Sequence, residues 1–190
     1  MSWVIWIEGL PGSGKTTLAR KVAGALAVDG VGVEVLDYAD VAETIGVPVS
    51  PAPMEIDAVY RALVASAVAL AAAGHPVIVA ATTSRRAWRS LARRHIARFA
   101  EVELLCEPEL AAARERAARW RLTPEWRAGR HSGTPEMVLD YEAALSAELT
   151  LRTDSIDAAT AAREITRLAR RLEAAASLTR TRRTPCASGI

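Results

Sequence analysis

Gly9-Leu10-Pro11-Gly12-Ser13-Gly14-Lys15-Thr16 decides the fold. It follows the apolar run Trp3 to Ile7 and opens the amphipathic stretch Thr16 to Val28. The spacing G-x-x-x-x-G-K-[ST] between a strand and a helix is that of a phosphate-binding loop. Glycines let the backbone curl until its N–H groups face a phosphate, and the helix N-terminus adds partial positive charge. Gly9, Pro11, Gly12, Ser13, Gly14, Lys15, Thr16 and Thr17 are the expected nucleotide-binding residues. Lys15 is expected to reach the β- and γ-phosphates of ATP and to act in catalysis, and the Thr16 hydroxyl to help hold Mg2+.

Outward from the loop, apolar runs alternate with helical spacing. Val31 to Leu36, ending in Asp37, reads as a second strand, and Val41 to Pro53, with three prolines, as loop. Met54 to Ala73 reads as a helix stopped by Gly74, and Pro76 to Ala80 as a third buried strand. A basic helix over Arg85 to Ala97, a strand over Phe99 to Leu105 and an Arg-rich helix over Pro108 to Trp120 follow. The pattern breaks between Arg119 and Pro135, resumes as a helix over Glu136 to Ser146, and closes with a strand over Leu149 to Arg152 and a helix over Asp157 to Leu172. This alternation predicts an α/β protein, a doubly wound parallel five-stranded sheet of the P-loop hydrolase and kinase type. The expected domain is 1–176, with an arginine-rich lid at about 116–135 and a disordered tail over 177–190.

The chain has 190 residues, 51% of them apolar, which suits one domain with a full core. Ala62 to Ser84 lacks formal charge and is long enough to span a bilayer, but Gly74-His75-Pro76 splits it into a core helix and a strand. The net charge of +2 points to a small molecule rather than nucleic acid or membrane as the partner. Only Lys15 and Lys21 are lysines among the 24 cationic residues, and arginine suits bidentate recognition of phosphate or sulfate. Cys106 and Cys186 have neither metal nor disulfide spacing and the N-terminus has no signal-peptide pattern, so a reduced, cytoplasmic protein is expected. Monomer and homodimer both stay open.

Ligands of such sheets collect at the carboxyl ends of the strands. Asp37 and Asp40 follow the second strand and are candidates for the base that accepts a hydroxyl proton, with Asp37 also organising Mg2+, partly through water. The strand over Val77 to Ala80 does not end in the acid of a Walker B motif, which disfavours GTPase switches and motor ATPases. Thr82, Thr83 and Ser84 follow it, as substrate contacts or as a helix cap. Arg116, Arg119 and Trp120 share one helical face, so Arg116 is expected to supply charge to the moving phosphoryl group and Arg119 to bind nucleotide, with Arg114 towards solvent.

Together, Ile7 to Ala19, Val35-Leu36-Asp37, Pro76-Val77-Ile78-Val79, Thr83-Ser84-Arg85-Arg86, Cys106-Glu107-Pro108 and Arg127-Ala128-Gly129 resemble the adenylylsulfate kinase family, over roughly residues 3 to 175. The resemblance implies ATP-dependent phosphorylation of the ribose 3′-hydroxyl of adenosine 5′-phosphosulfate. It also implies substrate-binding roles for Arg61, Thr83, Arg86 and Arg127, and so an anionic or nucleotide-like acceptor. The departures fall on the acceptor side. The family's Asp-Gly-Asp-Asn followed by an arginine stands here as Asp37-Tyr38-Ala39-Asp40-Val41-Ala42, and its paired arginines as Arg61 alone. A divergent kinase of another nucleotide or biosynthetic intermediate fits equally well. The alternative from another class is a nucleotide-regulated binding protein that hydrolyses ATP or GTP slowly.

Overall fold

The computed structural model describes residues 2–48, 52–122 and 141–181. Strands β1 (Val4–Gly9), β2 (Glu34–Asp37), β3 (Val77–Ala80), β4 (Phe99–Leu105) and β5 (Leu149–Arg152) form one sheet in the order β2-β3-β1-β4-β5. Every pairing is parallel, with Ile7 beside Ala80 and Val102, and Asp37 beside Ala80. Parallel neighbours need crossovers, and helices lie in these: α1 (Lys15–Val28), α2 (Tyr38–Thr44), α3 (Pro53–Ala73), α4 (Arg86–His95) and α5 (Pro108–Leu122), while α6 (Ala158–Thr181) follows β5.

Helices on both sides explain why β1 is buried throughout. Alternation sends Trp3, Ile5 and Ile7 to one face, against Leu18, Val22 and Leu26 of α1 and Ile165 and Ala169 of α6. Val4 and Trp6 face the other way, against Ile56, Val59 and Leu63 of α3 and Trp88 and Ala92 of α4. Each fully buried Val, Leu or Ile contributes about 1.5–3 kcal/mol, so these two layers are the main source of stability. Helix α3 is long and apolar enough to cross a membrane, but its Ile56, Val59, Tyr60, Leu63, Val64, Ala67 and Ala71 are buried in this core. Gly74, at φ +99°, ends α3, and the His75 N–H bonds back to the Leu70 carbonyl.

Four boundaries differ from the sequence reading. Residues 41–44 are helical, because Asp37 caps α2 by accepting the Ala39 N–H. β2 starts only at Glu34. No helix forms over 141–146, where the Glu142 and Ala144 N–H groups instead bond to the Ser84 carbonyl and the Glu103 carboxylate. α6 runs to Thr181, into the expected tail, as Glu173-Ala174-Ala175-Ala176 favours.

Candidate active site

The carboxyl ends of β1, β2, β3 and β5 open onto one cavity of about 1060 Å³. On one side lie the phosphate loop and the first turns of α1, on another α2 with Val47 and Pro48, and on a third Thr153, Ile156 and Asp157. Helix α5 contributes Arg114, Glu115 and Ala118.

Two glycines of the loop are demanded by their surroundings. A Cβ on Gly12 would lie 2.0 Å from the Ala111 carbonyl oxygen of α5, and one on Gly9 would lie 2.5 Å from the Leu104 carbonyl oxygen, both at positive φ. Gly14, left-handed at φ +101°, is the N-cap of α1 and supplies no side-chain cap. The first-turn N–H groups are thus left to an anion. The Lys15 ammonium donates to the carbonyls of Gly9 and Leu10, 3.0 Å each, folded along the loop it is expected to leave when a phosphate enters. Ser13 is buried, and Pro11 and Thr17 line the cavity.

Thr16 Oγ1 donates to Asp37 Oδ2 at 2.6 Å, while Asp37 Oδ1 caps α2. The sheet order makes this meeting possible, since only β3 separates the strand ending in Asp37 from the strand feeding the loop. A hydroxyl and a carboxylate at this separation are hard oxygen donors of the kind Mg2+ takes, with phosphate oxygens and water filling its other positions. Asp40, one turn into α2, is exposed and lines the cavity.

Other expected residues stand elsewhere. Arg61 is exposed, outside the cavity lining, and pairs with Asp57 at 2.6 Å, which together with the Trp88 indole N–H holds the Asp57 carboxyl below its usual range. Thr83 is fully buried at φ +51°, outside the cavity lining: its hydroxyl accepts from the Trp6 indole and its N–H donates to the Tyr60 hydroxyl, so it braces the core. Arg86 is exposed and donates to the Ala143 carbonyl, while its N–H donates to the Glu142 carboxylate. Arg116 is exposed and lies off the cavity. Contact between Gly12 and α5 at Ala111 and Glu115 turns the stripe 111, 114, 115 and 118 to the loop, and Arg116 lies two residues, about 200°, round from Arg114. It is Arg114, exposed like Arg116, that lines the cavity, donating to the Thr153 carbonyl at 3.0 Å. The side chains of Arg119 and Trp120, with Arg127 and the expected lid past residue 122, lie outside what is described.

Sequence reasoning missed a buried ionic cluster behind the loop. Glu8, Glu101 and Glu103 share the sheet face that α4 covers, Glu8 lying beside Glu103 in register. Arg89, itself buried, donates to Glu8 at 2.9 Å and lies 3.2 Å from Glu101. Burial, with Glu101 as a like charge and hydrogen-bonding neighbour, pushes the Glu8 carboxyl up to about 9, against the opposing pull of Arg89. The available signal was three glutamates inside strands that otherwise read as buried, each of which requires a partner.

A 2-3-1-4-5 parallel sheet whose first strand feeds a glycine loop, with a hydroxyl and a carboxylate meeting beside it, defines a P-loop nucleotide-binding enzyme. A family model described as an AAA domain matches residues 4–141. The chain is 32% identical over 157 residues to a probable adenylyl-sulfate kinase of Archaeoglobus fulgidus, covering 83% of this chain and 99% of that protein. The Mycobacterium tuberculosis APS kinase CysC, solved in complex with AMPPNP and APS, superposes with a TM-score of 0.72 at 25% identity, covering 88% of this chain and 96% of that one. A gluconokinase from Sinorhizobium meliloti 1021 shares the fold, with a TM-score of 0.63 at 16% identity over 93% of this chain and 97% of that one. The chain belongs to the adenylyl-sulfate kinase family of P-loop kinases, and it is an ATP-dependent kinase.

Proposed function

We propose that the protein transfers the γ-phosphate of ATP to a hydroxyl of a small molecule, with Thr16 and Asp37 at the Mg2+ end and Asp40 as the base. The observation that carries this reading is the 2.6 Å contact between Thr16 and Asp37. It supports a place for Asp37 at the metal end of the cavity, and Asp40, in the first turn of α2, is then the carboxylate that accepts the proton of the attacking hydroxyl. Lys15 leaves the loop carbonyls for the β- and γ-phosphates, and the α1 N-terminus takes up their charge. Bound Mg2+ neutralises the charge shared by the β- and γ-oxygens. Arg114 supplies a further cation from α5, in the role expected of Arg116.

The relatives make adenylyl sulfate the first acceptor to assay. Phosphate transfer from ATP to that acceptor should vanish in Lys15→Ala. In Asp40→Asn, turnover should fall about 10²–10⁴-fold while ATP affinity holds. Wild-type turnover by Asp40→Asn would refute the base assignment, and transfer by Lys15→Ala would refute the loop reading.

One observation favours a second acceptor class. The sequence from 38 to 60 contains no Lys or Arg. The cavity wall built from it presents Asp40 and Glu43 among Tyr38, Ala42, Val47 and Pro48. Such a wall supports an uncharged or amine-bearing hydroxyl compound over one carrying phosphate or sulfate. Comparing adenylyl sulfate with an unphosphorylated sugar and an amino sugar at equal concentration tests it, and a higher kcat/KM for adenylyl sulfate would reject it.

A further inference from the structure

Arg89 sits at a junction that neither nucleotide binding nor the base assignment uses. Its guanidinium donates to Glu8 Oε2 at 2.9 Å, to the Thr83 carbonyl at 2.7 Å and to the Glu142 carbonyl, and lies 3.2 Å from Glu101. Glu8 immediately precedes Gly9, so one side of the junction is the root of the phosphate loop. The other side is the chain over residues 141–148, which is pinned along its length. Glu103 accepts from the Ala144 N–H at 2.9 Å and from the Tyr141 hydroxyl at 3.4 Å. Glu148 accepts from the Glu101 N–H and bridges to Arg93 at 2.6 Å, and Arg93 returns to Glu101 at 3.1 Å. Residue 148 leads directly into β5, whose end carries the cavity-lining Thr153 and Ile156.

We propose that Arg89 is a positioning residue for phosphoryl transfer, joining the root of the phosphate loop to residues 141–148 and through them to the β5 end of the nucleotide cavity. The loop at Gly9 and the wall at Thr153 are then held by one buried guanidinium, which presents a planar fork to several acceptors at once. The junction has more carboxyls than cations. Glu8 on β1, Glu101 and Glu103 on β4 and Glu148 before β5 face Arg89 and Arg93 of α4, with Tyr141 and Glu142 alongside and Tyr60 of α3 on the Thr83 N–H. Among the described residues Glu8 Oε1 has no hydrogen-bond partner. Burial favours the neutral form of Glu8, which accepts from Arg89 through Oε2, a part that glutamine can also play.

The test uses the full chain, with MgATP affinity by calorimetry and amide exchange of residues 141–148 with and without ATP, so it needs no knowledge of the phosphate acceptor. In the wild type, ATP is expected to slow exchange across 141–148. In Arg89→Met, ATP affinity should fall tenfold or more and that protection should disappear. Glu8→Gln should keep both, with affinity within twofold. A merely structural role would lower the melting temperature of Arg89→Met yet leave the ATP-induced protection in place, and that result overturns the proposal. So does a wild type in which ATP leaves 141–148 unchanged. Should Arg89→Met fail to fold, Arg89→Lys keeps the charge without the fork and should bind ATP at least threefold more weakly; wild-type affinity there overturns the proposal.

Discussion

Replacing Glu8 with glutamine should flatten part of the pH dependence of stability. The Glu8 carboxyl has an ordinary value of 4.5 and is pushed up to about 9 in the folded protein, chiefly by burial. Between these values the unfolded chain has released the proton and the folded chain holds it. The native state binds more protons, so stability falls as pH rises. The stabilisation from this group is complete below its unfolded value and is lost as pH climbs towards 9. One proton's difference is worth about 1.4 kcal/mol per pH unit, which from pH 5 to pH 8 sets a ceiling of about 4 kcal/mol. The expected change over this range is about 2–4 kcal/mol. The glutamine amide has no proton to lose in this range, while Arg89, Arg93, Glu101, Glu103 and Glu148 are common to both proteins and cancel to first order. Urea unfolding of wild type and Glu8→Gln at pH 5, 6, 7 and 8 should therefore show the variant gaining on the wild type at each step. Parallel profiles would refute the reasoning and would mean that Glu8 is a carboxylate in both states across this range.

Gly12→Ala should lift the loop from α5, because the new Cβ would meet the Ala111 carbonyl oxygen at 2.0 Å. The expected outcome is a loss of about 1–3 kcal/mol in unfolding experiments and at least tenfold weaker ATP binding by calorimetry. Arg114→Ala should weaken MgATP binding by about tenfold, as loss of one charged contact predicts, whereas Arg116→Ala should leave it unchanged. The reverse ranking would show that α5 presents its other face to the nucleotide.

How much of this was legible depended on whether a residue's role is set locally. The glycine loop was legible because strand, turn and helix signals are adjacent in sequence, and Gly9, Gly12 and Gly14 all take the positive φ that the motif requires. Asp37 was legible as the last residue of a strand, although its contact with Thr16 is a product of strand order. Arg61, Thr83 and Arg86 stand outside the cavity lining for a common reason. Their positions along the chain match a substrate-binding pattern, but side-chain direction is settled by the partners each finds in the folded chain. Asp57 draws Arg61 along α3, Trp6 and Tyr60 hold Thr83 in the core, and Ala143 takes the Arg86 guanidinium. α2 is hard to see in the sequence because Pro48, Pro51 and Pro53 follow closely and its cap, Asp37, is also the last residue of a strand.

Helix α5 shows the same limit in geometrical form. Its sequence marks no apolar stripe strong enough to fix its rotation, since alanines lie on every side and arginines stand at 114, 116, 119 and 121. Periodicity can say which arginines share a face, and Arg116 with Arg119 do so; it cannot say which face turns inward. That choice is made where the backbone of Ala111 lies over Gly12 with no side chain between. The glycine that shapes the phosphate loop thereby also sets the rotation of α5. Only a glycine allows that approach, so the residue that shapes the loop also brings Arg114 rather than Arg116 to the cavity wall.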